Sequence, residues 1–204
     1  VSLVKTKYPQ GSEKFIVSAC IGVEIPSGKL PADAGVIISN VGTLCAVSDA
    51  FRLGLPLIER NLTISGGAVE NPCNIRVPIG TLVSEGECVK IISGGPMMGF
   101  SMGSAVFPVA KGTSGVTFLT KKETFLTEEE PCISCGKCSS SCPMRLNPVL
   151  MNRELKAQNL AKAKRFGLMD CIECGCCAFV CPANINLVQR FRLGKALVRS
   201  SMAR

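Results

Sequence analysis

Two cysteine runs share one spacing, Cys132-x-x-Cys135-x-x-Cys138-x-x-x-Cys142-Pro143 and Cys171-x-x-Cys174-x-x-Cys177-x-x-x-Cys181-Pro182. This is the run that ligates a pair of [4Fe–4S] clusters: three close thiolates cap three irons of one cubane, and the fourth, turned away by its following proline, ligates the other. The expected ligand sets are therefore crossed. Cys132, Cys135, Cys138 and Cys181 form one, and Cys171, Cys174, Cys177 and Cys142 the other. Any fold that satisfies both sets must bring the two runs face to face, and its chemistry is electron transfer.

Zinc is the strongest competing reading, since C-x-x-C pairs also build tetrahedral structural sites, but zinc would leave two cysteines of each run idle. A disulfide framework fits less well. The chain has 13 cysteines, an odd number, and no secretory leader is expected for it. The other five are Cys20, Cys45, Cys73, Cys88 and Cys176. Cys20 and Cys45 read as small core residues in apolar helices. Cys176, beside Cys177, can exchange as a ligand or pack against a cluster, with packing the simpler role.

Composition narrows the chemistry further. Histidine is absent, which removes Rieske ligation, histidine-ligated haem, most catalytic zinc sites and the commonest general base. Tryptophan is also absent and Tyr8 is the single tyrosine, so few aromatic platforms exist for nucleic acid, and no nucleic-acid partner is expected. The formal charge of +8 falls to about +4 once eight thiolates hold two cores of about +2 each. That surplus suits docking to an acidic redox protein or to an anionic membrane surface, though spread lysines are usually just a solvated surface. At 204 residues and 47% hydrophobic content, with a mean hydropathy of +0.32, the chain has room for one or two domains and a sizeable core. No apolar run approaches the ~18 residues of a membrane span, so a soluble or peripheral protein is expected.

Along the chain, residues 1 to 59 read as helix (Phe15 to Ile21), buried strand (Ala34 to Ser39) and helix (Leu44 to Leu53) of an α/β layer. Gly54 and Pro56 end the last helix. The loop Asn40-Val41-Gly42-Thr43 would then lie where a parallel strand hands over to a helix, the usual ligand position in such sheets. Without further information, an ordinary helix N-cap serves equally there. Residues 60 to about 120 change to short strands, Leu62 to Ser65, Asn74 to Pro78, Val89 to Ser93 and Val116 to Thr120, between glycine and proline turns. Gly94-Gly95-Pro96-Met97-Met98-Gly99 is either a ligand loop or a tight turn that packs its methionines. Beyond the acidic Glu128-Glu129-Glu130, each cysteine run is followed by a helical stretch, one partly amphipathic over Asn147 to Lys164 and one over Leu187 to Ser200. A motif repeated with its helix points to a helical two-cluster fold.

The cluster runs, Lys7-Tyr8-Pro9-Gln10-Gly11-Ser12-Glu13-Lys14, Asn40-Val41-Gly42-Thr43 and Gly94-Gly95-Pro96-Met97-Met98-Gly99 occur in the order found in the RnfC/RsxC family, the C component of the Rnf ion-translocating ferredoxin:NAD oxidoreductase, and the chain resembles that family from residue 1 to about 200. The family is similar over its flavin domain to the NADH-oxidising flavoprotein of respiratory complex I. The resemblance implies an α/β plus α architecture in three parts. Residues 1–59 would be the C-terminal part of an FMN- and NADH-binding α/β domain, 60–122 a small β-grasp-like (SLBB) module with a linker, and 123–204 an α-helical ferredoxin domain with two [4Fe–4S] clusters. It also implies FMN as hydride acceptor, NADH as substrate, and Tyr8, Gly11 and Glu13 beside the flavin. Glu13, facing the nicotinamide ribose, is the candidate catalytic residue. Asn40 and Thr43 would hold the flavin's other side.

The implied partners are the other subunits of a membrane electron-transport complex and a ferredoxin-like redox protein, which would hold the chain peripherally on the cytoplasmic side of the cell membrane. The family's glycine-rich flavin-phosphate loop lies upstream of the tyrosine loop and has no counterpart after Val1, so the chain reads as the C-terminal part of a longer one. Its β-rich part is also short between Val83 and Val89. Related corrinoid reductases and electron-transfer proteins of amino-acid reductases share parts of the layout. The alternative is thus a relay or docking module without flavin chemistry of its own.

Overall fold

The computed structural model describes residues 3–84, 88–104, 106–124 and 128–202. The protein is mixed α/β and divides into two compact units, Val1–Ile38 with Thr127–Arg204, and Ser39–Leu126. Residues 85–87 of the stretch between Val83 and Val89 lie outside the described residues.

The first unit is helical. A turn over residues 8–12 leads into α1 (Glu13–Ile21), which Gly22 ends in the left-handed conformation with its N–H on the Ser18 carbonyl. A 3-10 turn over Pro31–Ala34 follows, closed by Gly35 at φ 72°. The buried strand expected over Ala34 to Ser39 does not form. Ile37 is 87% exposed, and no strand pairs with this segment among the described residues. An apolar run becomes a central strand only when neighbours accept its backbone hydrogen bonds.

The C-terminal part of this unit contains α3 (Lys137–Ser140), α4 (Pro148–Lys156), α5 (Leu160–Arg165), α6 (Cys176–Phe179) and α7 (Leu187–Met202). The single helix expected over Asn147 to Lys164 is two. Gln158 takes left-handed backbone at φ 56°, and Asn159 begins a new helix by accepting the Lys162 N–H at 3.1 Å. An asparagine side chain that competes for backbone donors favours such a restart over helix continuation. The apolar face of α7 (Leu187, Val188, Phe191, Val198) packs with Met151 of α4, Ala163 of α5 and Leu168 to form the core. Glu129 fastens the acidic stretch to this core. Its carboxylate accepts the Asn186 N–H at 2.6 Å and pairs with Arg190, whose other nitrogen reaches the buried Asn152 at 3.0 Å.

The second unit begins with α2 (Val41–Leu53), capped by Asn40 Oδ1, which accepts the Gly42 N–H at 2.9 Å. Its sheet has the order β2-β1-β7-β4-β5, from β1 (Glu59–Ser65), β2 (Cys73–Pro78), β4 (Lys90–Ser93), β5 (Phe100–Ser101) and β7 (Gly115–Leu119). Strands β1 and β7 are parallel and the other pairs antiparallel. A separate pair, β3 (Leu82–Val83) with β6 (Phe107–Pro108), completes it. Four of these strands overlap the sequence expectation, and β3, β5 and β6, at two residues each, are too short to show period-2 alternation.

The Gly94-to-Gly99 phrase is the hairpin turn between β4 and β5. Gly94 donates to the Gly115 carbonyl and Gly99 to that of Gly95, both at 2.8 Å. A Cβ on Gly99 would meet Gly95 O at 2.5 Å, so close backbone packing explains that glycine. Cys20 and Cys45 are exposed rather than in a core. No residue of α2 is buried, and its apolar Leu44, Val47 and Phe51 all face solvent.

Candidate functional site

Both cysteine runs fold alike. Ser134 and Glu173, each two positions past its run's first cysteine, take left-handed backbone at φ 55° and 58°. Gly136 and Gly175 repeat this at 74° and 84° where they cap α3 and α6. Arg145 and Asn184, three past each fourth cysteine, stand at 53° and 49°. Such conformations cost about 1 to 3 kcal/mol each outside glycine and persist where the surroundings impose them. Two matching sets show that one loop geometry has been built twice.

Each loop turns its first three cysteines around one cavity. One cavity is lined by Cys171, Cys174 and Cys177 together with Cys142, against an apolar wall that includes Met151, Val188 and Phe191. The other is lined by Cys132, Cys135 and Cys138 together with Cys181, beside Val149, Ile185 and Leu187. The two enclose about 350 and about 400 Å³ of space, counting the parts open to solvent. The structure thus brings Cys142 to the second run and Cys181 to the first. Cys176 lines neither cavity.

Electrostatics tests what these cavities suit. Burial pushes the Cys177 thiol up to about 12, reinforced by the neighbouring charges of Cys171, Cys174 and Cys142. Burial likewise raises Cys138, with Cys181 adding to it and contacts to Ser139 opposing. Thiols this close ionise together only around a cationic centre, so metal loading would displace their protons. Among the described residues, no three Cys, Asp or Glu side chains close to the spacing of a single metal ion. Quartets spread round a cavity fit a multi-iron core better than one tetrahedral zinc ion.

Tyr8, Gly11 and Glu13 lie together on the turn that opens α1. Tyr8 donates its hydroxyl to the backbone carbonyl of Cys174, and burial, then the charges of Cys174 and Cys176, raises its pKa. Gly11 is open on its Cβ side, with nothing within 4 Å, and Glu13 is exposed, so a ligand has access to this turn. A second tether holds the segment, as Ser27 Oγ reaches both carboxylate oxygens of Asp170 at 2.7 Å. Asn40 and Thr43 belong to the other unit, where Asn40 serves as an N-cap and Thr43 is exposed.

Sequence reasoning passed over one group beside Cys171. Lys195 of α7 is only 5% exposed and donates to the Cys171 carbonyl and to Glu173 Oε1 at 2.8 Å, while Arg192 Nε meets Glu173 Oε2 at 2.9 Å. Burial works to raise the Glu173 pKa, and the two cations overcome it and hold the carboxyl below its usual range. The one signal in the sequence was a lysine at a core-facing helical position.

Comparison with known proteins gives two family matches. Residues 1–49 match the Nuo51 FMN-binding domain and residues 125–182 a 4Fe-4S dicluster domain. The C component of the proton-translocating ferredoxin:NAD+ oxidoreductase complex of Clostridium ljungdahlii is 49% identical over 156 residues, 72% of this chain and 34% of the relative. The C component of the ion-translocating oxidoreductase complex of Rhodobacter capsulatus is 44% identical over 213 aligned residues, 100% of this chain and 41% of the relative. Its counterpart in the Na+-translocating ferredoxin:NAD+ oxidoreductase complex of Acetobacterium woodii is 45% identical over 153 residues, 71% of this chain and 34% of the relative. The chain spans about a third to two fifths of the length of these relatives. Twin cysteine loops following a flavoprotein-like segment in the sequence, at this level of identity, place the chain in the RnfC family, the C component of Rnf-type ion-translocating oxidoreductase complexes.

Proposed function

We propose that this chain is the electron-transfer part of an RnfC protein that passes electrons between NADH, through FMN, and partner subunits of a ferredoxin:NAD oxidoreductase complex. Two [4Fe–4S] clusters, held by Cys132, Cys135, Cys138 and Cys181 and by Cys171, Cys174, Cys177 and Cys142, are the relay. The observation that carries this is the crossing of the fourth cysteines between the two cavities. A core bound in each cavity supplies reversible one-electron transfer at a potential set by burial, charge and hydrogen bonding. The chain's own part is to provide eight thiolates and fix their spacing by the left-handed turns. Apolar walls keep water from one side of each site.

For the flavin, Tyr8, Gly11 and Glu13 are the proposed contacts on the turn before α1, with Glu13 toward the nicotinamide ribose; Asn40 and Thr43 are proposed as flavin contacts from the resemblance alone. The match of residues 1–49 to an FMN-binding domain supports this reading, as does the open surface at Gly11. Residues 60–122 are read as a β-grasp-like module, supported by the order β2-β1-β7-β4-β5 about a parallel central pair. No helix of the described residues is long and apolar enough to cross a membrane, and attachment on the cytoplasmic side through partner subunits is the reading adopted.

Anaerobic flavin titration of the full-length protein, followed by NADH, tests the enzymatic part. One FMN per chain, bleached by NADH with subsequent cluster reduction, is expected. Intact clusters without flavin binding would favour a relay module instead.

A further inference from the structure

We propose that Lys195 raises the reduction potential of the cluster held by Cys142, Cys171, Cys174 and Cys177; this rests on the cluster assignment above. Lys195 is buried on α7, against the carbonyl of a cysteine of that quartet. Its carboxylate partner, Glu173, sits between Cys171 and Cys174 and donates its own N–H to Cys171 Sγ at 3.4 Å. Arg192 completes the array, so two cations and one anion gather beside Cys171, and of the three Glu173 lines the cavity itself. A buried ammonium is costly and is kept only where it is paired. Packing alone does not require it here, because Val188, Phe191 and Val198 already anchor α7 in the core.

The internal repeat supplies the contrast. The position of Glu173 in the first run is Ser134, and the position of Lys195, fourteen past the fourth cysteine, is Lys156. Lys156 is exposed, whereas Lys195 is buried against the Cys171 carbonyl. The buried Lys195–Glu173 pair therefore has no counterpart at the first run, where only Arg153 repeats Arg192. The Cys171 site is also the more enclosed, since Cys174 and Cys177 are buried whereas Cys132 and Cys135 are exposed. Reduction adds one electron and no proton, so it adds one negative charge that burial disfavours and a nearby cation favours. Lys195 offsets the burial and keeps the enclosed cluster reducible by the same class of donor, a reduced flavin or a low-potential iron–sulfur protein.

The test is an anaerobic redox titration of the full-length holoprotein, read by paramagnetic resonance. Lys195→Met should lower one of the two midpoints by about tenfold in the reduction equilibrium, about 59 mV for one electron. Lys195→Arg should hold it, and Glu173→Gln should move the same midpoint upward. Lys156→Met, the control from the repeat, should move neither. The proposal is overturned if Lys195→Met shifts neither midpoint or both alike, or if it and Glu173→Gln shift in the same direction. Loss of iron from both Lys195 variants would also overturn it, since the residue would then be structural. Unmodified protein lacking its two clusters would instead undo the function proposed above.

Discussion

The crossed arrangement makes a quantitative demand on double variants. Cys142 lines the cavity of Cys171, Cys174 and Cys177, and Cys135 lines the other. Each cavity is expected to hold about four irons, so Cys142→Ala should leave about four of eight. Adding Cys174→Ala removes a second ligand from the same cluster and should cost no further iron, because substitutions within one unit are not additive. Adding Cys135→Ala instead strikes the second cluster and should leave close to none. Iron and acid-labile sulfide are counted after anaerobic reconstitution, with paramagnetic resonance reporting whether a three-iron remnant survives. An uncrossed protein gives the reverse, with the Cys142/Cys135 pair retaining about four irons and the Cys142/Cys174 pair losing both clusters. That reversal would refute the reasoning from geometry.

Three further outcomes follow from packing and charge. At Gly66, φ is 110° and a Cβ would sit 1.9 Å from the Phe118 carbonyl oxygen; Gly66→Ala should therefore destabilise the protein by more than ~2 kcal/mol in thermal or urea melts. Gly112→Ala, with nothing within 4 Å, should be near neutral, and equal effects would contradict the account. Phe191→Ala, fully buried in the helical core, should cost ~3 to 5 kcal/mol, and a loss below about 1 kcal/mol would show that this core is looser than described. Hydrogen bonds from the Thr120 backbone and hydroxyl, and from the Gly67 N–H, hold Glu123 below the usual carboxylate range. A lowered folded pKa stabilises above the unfolded value of 4.5 and the gain is lost as pH falls through the folded one. Hydrogen exchange at Gly67 should thus quicken, relative to Glu123→Gln, only on acidification below that range, and an acid-insensitive difference would contradict it.

What could be read from the sequence was what local spacing encodes. The cysteine runs, the helix after each and four of the strands carry their signal within a dozen residues, and the cavities gather the residues that the spacing singled out. Ala34 to Ser39 misled because an apolar run states only that burial suits it, whereas a strand also needs partners elsewhere in the chain. Cys20 and Cys45 misled for the same reason, being apolar in context yet exposed. The Ala157–Asn159 break was visible only as an asparagine within a helical pattern. Lys195 and Glu173 were hidden because their meaning depends on a contact 22 residues apart in sequence. Tyr8 meets Cys174 across 166 residues, a pairing that no local pattern records.

The central claim is that eight cysteines organise two four-iron cores across the paired loops. Iron, sulfide and zinc counted together on the anaerobically purified full-length protein address it directly. About eight irons and eight sulfides per chain, no zinc, and two reversible one-electron signals are expected. One or two zinc ions without sulfide, or a single cluster, would contradict the account.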